Sequence, residues 1–166
     1  MEKFYGVLRD FLPLFAAALL SGCQTPHQFA TPDGTWKTHI GQLKYRDAQR
    51  TLIGDVVVQR RGEQEFQLDF QKAGGIPLLT LRADATTARA EGLFARGSWQ
   101  GAPSAAPKHL RSWVWLRTAF RHPKPLAIKA GDQNWQGEAK SAGGRLTSVS
   151  LSFPLDEQRF DFQFQR

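Results

Sequence analysis

Few residues in this chain are of a type and spacing that could do chemistry. Cys23 is the only cysteine, so it belongs to neither a disulfide framework nor a Cys-based metal site. His27, His39, His109 and His122 are scattered, and their spacing forms no ligand cluster. Asp156 and Glu157 are adjacent at a turn and solvated, which suits them poorly to paired acid-base work. The chain has no Gly-x-Ser-x-Gly elbow, no phosphate loop and no His-Glu-x-x-His motif. A non-enzymatic protein without metal or cofactor is expected. The remaining candidate is the stretch Leu20-Ser21-Gly22-Cys23.

That stretch closes a segment with the layout of a secretory signal. Lys3 and Arg9 lie in a charged first region, Phe11 to Leu20 form an apolar run, and small residues precede the cysteine. A membrane-spanning helix would need about 20 apolar residues, and this run is shorter and contains Pro13. The arrangement resembles the processing site of a bacterial lipoprotein. The resemblance implies removal of residues 1–22, a diacylglyceryl group on the Cys23 sulfur and an acyl chain on the new amino group. Residue 24 is Gln and not Asp, which in the sorting pattern this resembles favours the outer membrane. The body would hang from that membrane by lipid, facing the periplasm.

The 144 residues left after such cleavage suit one domain, placed at 36–166. Residues 23–35 are rich in turn formers and read as a flexible tether. About a dozen such residues reach roughly 20 Å. No later stretch approaches membrane-spanning length.

Charge is unevenly placed. The net charge is +7, and residues 92–131 contain no Asp or Glu but hold Arg96, Lys108, Arg111, Arg117, Arg121, Lys124 and Lys129. The rest of the chain is balanced. Such a segment favours an anionic partner: phospholipid headgroups, or an acidic protein of the envelope. Nucleic acid is not expected for an exported lipoprotein.

From Trp36 onward the pattern is mostly period two, as in half-buried antiparallel strands. Leu52, Val56 and Val58 share one face; Phe66, Leu68 and Phe70 alternate with polar residues. Leu79 and Leu81 follow a Gly-Gly break, and residues 88–93 make a short strand. Beyond the basic segment, residues 135–140 alternate, Gly143-Gly144 makes a hairpin, and Val149, Leu151 and Phe153 lead through a turn at 154–158 to Phe160, Phe162 and Phe164. His39 is placed before the first strong strand. The pattern predicts a mainly β fold, a curled antiparallel sheet of about eight or nine strands forming a half-open barrel.

One helix, about 106–120, is expected to cover it, with Ser104 as cap and Pro107 in the first turn. Leu110, Trp113, Val114, Leu116 and Phe120 fall on one side, while Lys108, Arg111 and Trp115 fall opposite. The outward side, extended by Arg117, Arg121 and Lys124, would meet an anionic surface, with Trp115 as an interfacial aromatic. His109 and His122 would add charge to it as pH falls. The stripe of Phe66, Leu68, Phe70, Trp113, Leu116, Phe120, Phe160, Phe162 and Phe164 would either line an acyl pocket or fill the core.

A curled sheet under a helical lid behind a lipoprotein signal resembles the LolA and LolB family of lipoprotein carriers and receptors. That resemblance covers residues 36–166 by element order. It implies an apolar concavity for acyl chains, a lipoprotein or acyl-chain ligand, and membrane contact by an apolar residue on an early loop. The matching loop is 73–78, with Ile76 or Leu78 at its tip. A different reading of the same residues is an envelope scaffold with a solid core, binding an acidic protein through residues 92–131.

Overall fold

The computed structural model describes residues 27–121, 128–130 and 133–165. Cys23, Leu20, Ser21, Gly22 and Lys124 lie outside the described residues. The period-two segments form β1 (Lys37–Arg46), β2 (Thr51–Arg61), β3 (Glu65–Lys72), β4 (Ile76–Ala83), β5 (Ala88–Gly92), β6 (Gly97–Gly101), β7 (Ile128–Ala130), β8 (Gln133–Ala142), β9 (Arg145–Phe153) and β10 (Gln158–Phe164). Among the described residues one α-helix, α1 (Lys108–Arg121), lies between β6 and β7. The strands are antiparallel in the order β6-β5-β4-β3-β2-β1-β10-β9-β8-β7, with the three-residue β7 at one edge. β6 and β7 do not pair with each other, so the sheet stays open.

Side chains on a strand alternate between faces, and here the inward set is almost wholly apolar. Leu43 and Tyr45, Val56 and Val58, Phe66, Leu68 and Phe70, Leu79 and Leu81, Val149, Leu151 and Phe153, and Phe160, Phe162 and Phe164 are all buried on the face that α1 covers. The sheet curls around this core. Phe94, beyond β5, meets Tyr45 of β1 with ring centroids 5.1 Å apart. In a flat sheet those strands would be about 19 Å apart.

The helix buries Leu110, Trp113, Val114, Leu116 and Phe120 as its period requires, together with Ser112 and Ala119. Trp113 forms the hub, with ring centroids 5.0 Å from Tyr45, 5.9 Å from Phe70, 5.3 Å from Phe94 and 4.7 Å from Phe160. Ser112 donates from Oγ to Asp156 Oδ2 at 2.6 Å, fastening the helix to the β9–β10 connection. Ser104 is not the cap. It lies in a separate 3-10 turn, Pro103–Ala105, and the first α1 hydrogen bonds run from Leu110 N and Arg111 N to Pro107 O.

Several elements differ from the sequence reading. β6 carries no apolar alternation and is bracketed by Gly97 and Gly101, so nothing in its own residues marks a strand. Pairing with β5 alone makes it a strand. His39 lies inside β1, whose inward face reads His39, Gly41, Leu43, Tyr45 and so looks apolar only in its second half. The supposed loop 73–78 is a tight turn at 73–75, where Gly74 and Gly75 take positive φ. Between Phe70 and Gln71 the ladder shifts register, so Leu78 and Leu79 both face inward. Leu78, 3% exposed, is therefore core and not a membrane-contact tip; Ile76, 58% exposed, keeps that option.

The tether also ends earlier than expected. His27 pairs with the Asp84 carboxylate in the β4–β5 turn, Phe29 and Ala30 line a cleft with Trp36, Phe66 and Ala83, and Asp33 Oδ2 lies 3.7 Å from Arg61 Nη1. Partial burial works against the Asp84 carboxylate, but hydrogen bonds from Thr86 N and Thr87 N and the His27 contact outweigh it and hold its pKa below the usual value. Composition marks residues 27–33 as turn-rich but cannot reveal partners 57 positions away.

Candidate functional site

The expected acyl-pocket residues are together, but they do not surround a space. Phe66, Leu68, Phe70, Trp113, Leu116, Phe160, Phe162 and Phe164 are buried and interlocked beneath α1. Trp113 plugs the middle of the half-barrel. Of the nine residues named for the pocket, only Phe120 borders the cavity of about 630 Å³ found among the described residues.

That cavity lies beyond the end of α1 and has a volume of about 630 Å³. Strand direction fixes where it opens. The start of β1, the end of β2, the β8–β9 turn and the end of β10 all lie at one end of the sheet, where antiparallel pairing places Lys37 opposite Arg60 and Gly41 opposite Phe164. Phe120, Trp135, Leu146, Val149 and Leu151 supply apolar wall, while Lys37, His39, Arg60 and Arg145 supply basic wall. Gly137 and Ala139 make room, because β8 presents small residues here. A Cβ at Gly137 would come within 2.6 Å of Leu151 Cδ2.

Two of the basic wall residues have defined surroundings. Arg60 Nη1 donates to Phe120 O at 3.0 Å, closing the C-terminus of α1, where unpaired carbonyls carry partial negative charge. His39 is held below its ordinary pKa by burial first, then by the charges of Arg60 and Lys37. The neutral imidazole dominates near pH 7.

The outward face of α1 is less free than its composition implies. Arg117 Nη1 donates to the backbone oxygens of Asp84 and, at 3.4 Å, Gln64. Arg121 Nη2 donates to Glu63 Oε2 at 2.6 Å. Both tie the helix to turns of the sheet, and burial, with Arg121 beside it, lowers the Arg117 pKa. Trp115 is half-buried and packs against the core. Lys108 is exposed and Arg111 half-buried, and neither has an ion-pair partner among the described residues. His109 does not add charge in the expected way: burial first and Arg96 second depress its pKa. The proposed anionic-surface patch is thus reduced to Lys108 and Arg111 among the described residues.

These histidines give a pH prediction. In the unfolded chain His39 and His109 take protons near 6.5, whereas the folded state resists protonation, so the unfolded state binds more protons below that pH. Their contribution is fully present above 6.5 and is lost as pH falls toward their folded pKa values. Asp84 and Asp161, depressed below 3.8, lose their contribution only when pH falls below that value. Urea unfolding followed between pH 7 and 3 should show a decline in two windows, and His39→Gln should shrink the first. A stability flat from pH 7 to 5 would contradict this.

Among the described residues no cluster of His, Cys, Asp and Glu could hold a metal ion, and no helix is long and apolar enough to cross a membrane. The cavity was not legible in sequence. Its one signal was the run of small residues at 137 and 139 on a strand whose neighbours are bulky. The chain matches no protein-family model and no curated protein at a significant level.

Proposed function

We propose that this protein is a non-enzymatic outer-membrane lipoprotein that takes an acyl chain, free or carried by another lipoprotein, into the cavity at the open end of its sheet. The role resembles that of a LolB-like receptor. The observation that carries this reading is the cavity itself: about 630 Å³, walled by Phe120, Trp135, Leu146, Val149 and Leu151. Small-molecule sites typically measure about 300–1,000 Å³, and this cavity is lined about equally by apolar and by polar or charged residues. The interior between the sheet and α1 is filled, as the scaffold reading expects, so the acyl reading rests on this cavity beyond the end of α1 alone.

Placement supports the same function. His27 docks at the end of the sheet where the cavity opens, and it lies four positions after Cys23. Four extended residues reach at most about 14 Å, so a lipid on Cys23 would hold the cavity mouth toward its own membrane. Ile76 lies at the other end of β3, eight residues or about 26 Å away, and would point into the periplasm. Leu93 and Leu155, both exposed, lie in connections at that same far end. An upright anchored molecule would thus present Ile76 to an incoming partner and not to the anchoring bilayer.

The test is binding of a fluorescent fatty acid to the purified full chain. Ala139→Phe places a ring on the cavity wall and should weaken binding by at least about tenfold, equivalent to 1.4 kcal/mol, with little change in the unfolding midpoint. Binding unchanged by Ala139→Phe would put the acyl chain elsewhere. No binding by the native chain would end the proposal.

A further inference from the structure

The cations around the cavity mouth divide into two groups. At this end of the sheet Arg61 pairs with Glu65, Arg121 with Glu63, and Arg117 with backbone carbonyls. Lys37, Arg60 and Arg145, the three that border the cavity, have no carboxylate partner among the described residues. Glu138 is the only carboxylate on the described lining, and it lies 3.6 Å from Lys140 Nζ.

Lys37 and Arg60 are also direct register partners on adjacent strands. Like charges placed opposite each other destabilise a sheet. The C-terminus of α1 offsets part of this for Arg60, since its guanidinium donates to Phe120 O, but Lys37 has no such relief. The positive field is felt locally, because both residues help to suppress protonation of His39. In addition, Arg60 Nε and Trp135 Nε1 are buried without a hydrogen-bond partner among the described residues. Buried donors are ordinarily satisfied, so this wall carries unmet donor capacity.

From this pairing of an apolar floor with unneutralised cations at its mouth, we infer that the cavity selects an acyl chain bearing an anionic headgroup, a carboxylate or a phosphate, held by Lys37, Arg60 and Arg145. The inference rests on the acyl-binding reading above and adds the chemistry of the head. The chain lies against Phe120, Trp135, Leu146, Val149 and Leu151, and the anion sits where Lys37 and Arg145 reach it from opposite walls. Charge-assisted hydrogen bonds of this kind are about twice as strong as neutral ones. They also weaken as salt screens exposed charge.

The experiment is displacement of a neutral fluorescent acyl ester from the full chain by laurate, dodecyl phosphate, neutral lauroyl glycerol and inorganic phosphate. Laurate and dodecyl phosphate should each displace the probe at concentrations about tenfold below lauroyl glycerol, and inorganic phosphate should not displace it. A preference for one of the two anionic chains identifies the source, fatty acid or phospholipid-like. Lys37→Gln combined with Arg145→Gln, two exposed positions with no ion-pair partner among the described residues, should cut the anionic preference, measured against lauroyl glycerol in the same variant, at least about threefold. Arg60 is left intact because it also holds the end of α1. Equal displacement by charged and neutral chains, or a preference undiminished in the double variant, would overturn the headgroup inference while acyl binding stands. A probe that does not bind at all would overturn both.

Discussion

Trp113→Ala is expected to lower the free energy of unfolding by about 3–5 kcal/mol, the range for removing a fully buried indole or phenyl group from a core. The side chain is completely buried, and its ring meets Tyr45 of β1, Phe70 of β3, Phe94 beyond β5 and Phe160 of β10. These residues approach α1 from four places on the curled sheet, so they cannot all close on the space that the indole leaves. Aromatic pairs add about 0.5–1.5 kcal/mol beyond area burial. Since a domain of this kind has about 5–15 kcal/mol in total, the variant gives up a large share of its stability and, at the low end of that range, unfolds in a substantial fraction of molecules. Urea titration monitored by circular dichroism measures the loss. A cost below about 1 kcal/mol would mean that the helix is not the keystone of the half-barrel.

The second large effect is expected at Gly54→Ala. Gly54 faces inward on β2, and an added Cβ would collide with the backbone oxygen of Gln71 and come within 2.9 Å of Phe70 Cε2. The first obstacle is the main chain of β3, so the strain cannot be relieved by turning a side chain. Overpacking typically costs about 1–3 kcal/mol, and a backbone obstacle places this change at the top of that range or above it. Close approach of β2 and β3 at Gly54 helps the sheet to bend over its core. Gly34→Ala is the control, since a Cβ there meets nothing within 4 Å. It should be nearly neutral in the same urea experiment, and a Gly54 variant that behaved like it would refute the steric account.

How much of this molecule was legible depends on the range of the interactions involved. β3, β9 and β10 could be read because their inward residues repeat every second position, as in Phe66, Leu68, Phe70 and Phe160, Phe162, Phe164. The helix could be read because its apolar residues repeat with a helical period and Pro107 stands at its start. β6 could not, because two of its five residues are glycine and only the neighbouring ladder holds it. Leu78 was misread because a register shift between β3 and β4 turns two consecutive leucines to the same side. Arg117 and Arg121 looked like surface cations because their partners, Asp84 O and Glu63, are 33 and 58 positions away.

The candidate site divides in the same way. Sequence by itself determined a lone cysteine behind an apolar run, a mainly β chain with one helix, and a basic excess confined to one segment, since each depends on composition or on a short repeat along the chain. Tertiary structure alone decided that the aromatic stripe fills the core, that a cavity opens beyond Phe120, and that Lys37, Arg60 and Arg145 gather at its mouth. Those three residues come from β1, β2 and β9. Nothing local joins them, and only antiparallel pairing around a curled sheet brings them to one end.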